Sequence, residues 1–190
     1  MNRQPSSAVP LAWLYAGLIV YASLYPFGDW RVPGHSPWQF LVLPWPRYWT
    51  GFDLVANLLG YVPLGALVLG ARVRAGDSPV RGLVLALLLG TALSFSMELL
   101  QNWLPRRVPS NLDLALNAAG SAIGAALGWG VHVAGGVDRW QSLRERWFIV
   151  GSAGGLALLL LWPIGLLFPV PVPLALGQVL PRLQEGLQVA

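Results

Sequence analysis

Five apolar runs, each bounded by polar, glycine-rich or proline-rich breaks, account for most of the chain: about residues 11–25, 54–73, 80–103, 112–133 and 147–168. Read as helices, they are spans of roughly 30 Å of hydrocarbon; the first is short and starts nearer Ala8. It ends at Tyr25-Pro26-Phe27, since proline disfavours helix in the residue before it. It reads as an uncleaved span that doubles as an insertion signal, because Ala22 and Ser23 make a poor cleavage site before Leu24-Tyr25-Pro26. Between the first two runs lie Trp30, Trp38, Trp45 and Trp49 among prolines and glycines, a composition suited to the headgroup zone, where amphipathic rings are favoured. Beyond the fifth run Pro169, Pro171 and Pro173 break the helix, leaving an apolar tail over 174–190 that suits an interfacial helix. The pattern predicts an all-α, polytopic transmembrane bundle of about five spans. Its principal domain covers 8–135, with an additional span and proline-rich tail over 136–190.

The polar interruptions are not scattered. Asp53-x-x-x-Asn57-x-x-Gly60 recurs sixty residues later as Asp113-x-x-x-Asn117-x-x-Gly120. Each copy opens an even-numbered span, so the two helices run in the same direction and the duplicated Asp–Asn ends face one side. An aspartate there can cap orphan amides, and the glycine admits a neighbouring backbone. On the third span Ser94, Glu98 and Gln101 share one face, with Glu98 expected about one and a half turns inside its end. The connection carrying Arg106, Arg107 and Ser110 then returns over that end. Alternating span direction therefore gathers Asp53, Asn57, Glu98, Gln101, Arg107, Ser110, Asp113 and Asn117 at one bilayer face.

Composition agrees. The chain has 190 residues, 55% hydrophobic and 11% charged, with a mean hydropathy of +0.58, against about 25% charged residues in soluble domains. The net charge of +4 comes from twelve arginines and no lysine. These arginines are spread between the spans instead of forming one stripe, which argues against a nucleic-acid partner and for topology signals. Seven fall on the side of the N-terminus and five opposite, so the N-terminus is expected in the cytoplasm. Cysteine is absent, which removes thiolate chemistry.

Ionisable side chains near hydrocarbon are costly and mark a candidate site. Arg107 is expected to pair with Glu98 or Asp113. As a purely structural clamp, that pair pins the hairpin of spans three and four. As a site, Arg107, Gln101, Ser110, Asn117 and Asn57 hold a small anionic or polyhydroxy ligand, while Glu98, Asp113 and Asp53 are candidates to move a proton. No metal or cofactor is expected. His35 and His132 lack ligand spacing, and the three acidic residues do not demand an ion. The stripe Gly120, Gly124, Gly128 reads as a packing face.

Glu98-x-x-Gln101, Arg107, Ser110, Asp113, Asn117, Gly120 and Gly124, with Asp53, Asn57 and Pro63-Leu64-Gly65 and the segment Tyr21-Ala22-Ser23-Leu24-Tyr25-Pro26-Phe27, resemble the VanZ-like family of bacterial membrane proteins over about residues 11–128. The resemblance implies a multi-pass protein of the bacterial inner membrane. The family's name-giving member lowers sensitivity to teicoplanin-type lipoglycopeptides, and the resemblance carries no common reaction with it. The expectation is an outer-leaflet acidic/arginine pocket that binds an envelope molecule, a lipid-linked phosphate or glycan, with membrane lipids as partners. The alternatives are an acid/base enzyme on a lipid-linked substrate and a scaffold that recruits a membrane partner.

Overall fold

The structure is a computed structural model that describes residues 7–136 together with 139, 142 and 155. Among these residues four α-helices form: α1 (Ala8–Leu24), α2 (Gly51–Arg74), α3 (Pro79–Gln101) and α4 (Asn111–Val133), with one 3-10 turn at Gln39–Leu41. They cover the first four expected spans. The fifth, residues 147–168, lies outside the described residues apart from Gly155, and the tail over 174–190 lies wholly outside them.

Local signals set the helix ends. At α2 the Thr50 side chain accepts from the Asp53 amide at 3.1 Å, while the Asp53 carboxylate accepts from the Thr50 amide at 3.0 Å. That reciprocal capping box satisfies two orphan donors. The far end of α2 closes with Gly76 at φ +97°, whose amide donates to Val73 O while Asp77 donates to Arg72 O. This is a Schellman stop, which needs a residue that tolerates the left-handed region. Ser78 then caps α3 and Pro79 begins it. Asp77 pairs with both Arg72 and Arg81, fixing the α2–α3 turn.

Helix directions follow from the close contacts. Cβ atoms built on Gly120, Gly124 and Gly65 would strike the carbonyls of Leu58, Val62 and Ser121 respectively. Residue numbers rise together along this seam, so α2 and α4 run parallel. Glycine is required because backbone meets backbone. Gly90 of α3 lies against the Ser121 side chain of α4, and Asn117 meets Ser94, which makes α3 antiparallel to α4. The Tyr15 hydroxyl donates to Gly60 O at 3.0 Å and Gly70 approaches Ala8, so α1 runs antiparallel to α2. Leu64, Val68, Leu69, Ala86, Met97, Leu104 and Ala125 fill the interior.

Leu59, Leu88, Leu89, Ile123, Leu127 and Val131 point outward. A bundle apolar inside and outside is made for lipid. Three helices, α2, α3 and α4, are long and apolar enough to cross a membrane, and α1 is a shorter apolar helix. The chain is a helical membrane protein.

Candidate functional site at the loop end of the bundle

With these directions, the C-terminal ends of α1 and α3 and the N-terminal ends of α2 and α4 share one end of the molecule. The connection between α1 and α2 lies across it. Trp38 stacks on Phe95 with ring centroids 5.7 Å apart, Phe40 is buried, and Asn102 donates to Pro37 O at 3.1 Å. Arg31 donates its amide to Trp103 O at 2.9 Å, and Asn111 donates to Leu43 O at 2.6 Å.

Contrary to the expectation from sequence, Arg107 does not form an ion pair with Glu98 or Asp113. Its Nη2 donates to Ala22 O at 2.9 Å and Tyr25 O at 3.3 Å. Gln101 donates to Ser23 O at 3.0 Å, while Tyr25 and Phe27 donate their amides to Tyr21 O and Leu24 O. All four last carbonyls of α1 thereby acquire donors. Away from bulk water an orphan carbonyl is costly, so the terminus of this short helix is closed by two side chains from the α3 end and its following loop. The arginine charge also suits the negative end of the α1 dipole.

Glu98 is only 4% exposed, and its Oε2 accepts from the Ser110 amide at 2.8 Å. Helix α3 ends at Gln101, so Glu98 sits in the last turn, closer to the end than the expected one and a half turns. Ser110 in turn caps α4, its Oγ accepting from the Asp113 amide at 3.3 Å. Because Glu98 takes the Ser110 amide, Asp113 does not close a capping box. Its half-buried carboxylate makes no hydrogen bond among the described residues.

One turn deeper, Asn117 is 4% exposed and donates to the Ser94 hydroxyl at 2.8 Å. Its Oδ1, the Tyr61 hydroxyl and the Ser121 hydroxyl are buried without hydrogen-bond partners among the described residues. Asn57 lies elsewhere: it donates to Asp53 O within its own helix at 3.0 Å, and Asp53 is exposed in its cap. The eight singled-out residues thus share one end of the bundle and are held there by different contacts. Glu98, Ser110, Asp113 and Asn117 lie along the α3/α4 seam, Gln101 and Arg107 hold α1, Asp53 completes the α2 cap, and Asn57 bonds its own helix.

A small open cleft lies beside Arg107, lined by Tyr25, Pro26, Gly28, Asp29, Leu104, Pro105, Arg106 and Arg107. Phe27 and Asp29 have φ of +60° and +59°, a region that side-chain-bearing residues rarely adopt. The Trp30 ring nitrogen donates to Phe27 O at 2.8 Å, and the Arg31 amide is bonded to Trp103 O, so this segment is held from its C-terminal side. Sequence reading did not single out Asp29 as a site residue. The clue was the doublet Arg106-Arg107, of which that reading assigned only Arg107 to the site.

Among the described residues, the ion pairs of Arg72 and Arg81 lie at the opposite end. Arg31, Arg47, Arg106 and Arg107 have no carboxylate partner within 4.0 Å among the described residues. No group of three or more histidine, cysteine or acidic residues is arranged to hold a metal ion among the described residues.

No curated protein and no solved structure matches the chain. A family model does, over residues 7–132, and its description is VanZ/LLP1.

Proposed function

The chain belongs to the VanZ/LLP1 family, and from that premise we propose that it is a binding module of the bacterial inner membrane whose loop end captures the phosphate of an envelope lipid or lipid-linked precursor. The observation that carries this reading is the cleft in which Arg106 and Arg107 meet, at a bundle end whose arginines lack acidic partners among the described residues. Arg107 commits one nitrogen to the α1 carbonyls, which leaves further N–H donors of its guanidinium for a ligand. Paired arginines suit phosphate because donor geometry and charge match.

The loop end belongs to the outer leaflet in this reading. Arg72, Arg74 and Arg81 crowd the short turn at the other end, the pattern of a cytoplasmic loop. The exposed Trp30, Trp38, Trp45, Trp49 and Tyr48 suit the outer headgroup layer. Capture of an envelope lipid is also the route by which such a protein would alter sensitivity to teicoplanin-type drugs.

A second reading, acid/base catalysis on the same lipid, is favoured by one observation. The Asp113 carboxylate is half-buried and not tied up by a hydrogen bond, whereas Glu98 already holds the Ser110 amide. In that case Asp113, not Glu98, is the residue to move a proton.

Native mass spectrometry of the full chain tests the binding reading. The wild type should retain phosphate-bearing lipid and Arg106→Gln should lose most of it, with unchanged helicity. Equal retention by both proteins sinks the reading. Arg106 is the better probe because replacing Arg107 also uncaps α1.

A further inference from the structure

The cleft contains a feature that a site for a plain anion would avoid. Asp29 lines the same space as Arg106 and Arg107, and a carboxylate beside a bound phosphate is repulsive. Asp29 has no hydrogen bond or ion pair among the described residues, so the fold itself does not occupy its charge. The carbonyl end of α1 borders the cleft through Tyr25, and a helix C-terminus favours cations. The cleft, apolar over most of its lining, is therefore bordered by two arginines and one aspartate.

We propose that this cleft recognises a zwitterionic phosphoethanolamine group, with its phosphate on Arg106 and Arg107 and its primary ammonium on Asp29. The proposal rests on the phosphate-capture reading above and names the class of headgroup that it selects. A phosphate with a neutral glycerol substituent leaves Asp29 unpaired and close to negative charge. A quaternary ammonium has no N–H to donate, so it gains less from the carboxylate than a primary ammonium does. The aspartate thus selects among headgroups, while the arginines supply attraction for all of them. Being partly exposed, the ammonium contact should contribute a modest factor.

The test uses the full chain in detergent, delipidated and then offered equal amounts of phosphatidylethanolamine, phosphatidylglycerol and phosphatidylcholine, with retained lipid read by native mass spectrometry. Phosphatidylethanolamine should be kept over each of the others by about fivefold, the scale of a partly exposed ion pair. Asp29→Asn should bring that ratio close to one without lowering phosphatidylglycerol binding. Arg106→Gln should lower all three lipids together. Neither side chain bonds to the fold, so thermal unfolding should stay unchanged in both variants.

A wild-type protein without headgroup preference overturns the proposal, as does a preference that survives Asp29→Asn. If Arg106→Gln still lowers retention in those cases, phosphate capture stands and only the zwitterion assignment falls. If Arg106→Gln changes nothing, both fall. Soluble O-phosphoethanolamine that displaces the lipid with the same Asp29 dependence supports the proposal with the headgroup alone as ligand. Asp29-dependent lipid selection without such displacement supports it with the intact lipid as ligand.

Discussion

The two copies of Asp-x-x-x-Asn-x-x-Gly use identical side chains for opposite purposes. In the first, Asp53 closes a capping box with Thr50, Asn57 bonds its own helix, and a Cβ on Gly60 would meet nothing. In the second, the Ser110 amide goes to Glu98, Asn117 bonds Ser94 of α3, and Gly120 lies against the Leu58 carbonyl. The first copy finishes its own helix; the second ties its helix to two others. The cause is the neighbour available to each. The end of α3 presents Glu98 to the start of α4, whereas the start of α2 emerges from a loop that supplies Thr50 and no buried carboxylate.

This contrast can be broken most strongly at the glycines. Gly120→Ala pushes a methyl into the α2 backbone and should cost about 1–3 kcal/mol. Gly60→Ala should stabilise by about 0.5–1 kcal/mol, because it removes a flexible residue from a helix with open space beside it. Thermal unfolding in one detergent compares the two, and equal shifts would erase the distinction. A smaller separation is expected at the asparagines. Asn117→Leu should cost about 0.6–1.7 kcal/mol, the range of interhelical hydrogen bonds in membranes, while Asn57→Leu should change the midpoint little.

The caps sharpen the comparison most finely. Thr50→Ala and Ser110→Ala each remove a side-chain cap worth about 1 kcal/mol. In a Glu98→Gln background the Thr50→Ala cost should be unchanged and the Ser110→Ala cost altered by a few tenths, because only Ser110 is bonded to Glu98, through its main-chain amide. Double-mutant unfolding midpoints read this coupling, and strict additivity at Ser110 would show that its side-chain cap and the Glu98 contact are independent.

The four helices and their shared polar end were legible because length, hydropathy and capping residues are local signals. Thr50, Ser78 and Ser110 lie where a cap belongs. The glycine stripe also reads correctly, since small residues every fourth position leave one face open to a neighbouring backbone. Arg107 was misread. Charge matching points to Glu98 and Asp113, but the acceptors it found are carbonyls of Ala22 and Tyr25, more than eighty positions away. Main-chain acceptors are identical at every residue, so no sequence pattern announces them. Asn102 and Asn111 escaped notice for the same reason. Gln101 was placed near the right end, yet its partner is another such carbonyl.

The loop over residues 26–50 is gripped almost entirely through its peptide groups. Asn102 holds the Pro37 carbonyl, Asn111 the Leu43 carbonyl, and Trp103 O the Arg31 amide. Beyond the Phe40 and Trp38 rings against Phe95, its side chains are left largely uncommitted. Such a segment behaves as an interchangeable cassette. Its outward residues can be exchanged to suit a different membrane surface without disturbing the groups that clasp its main chain.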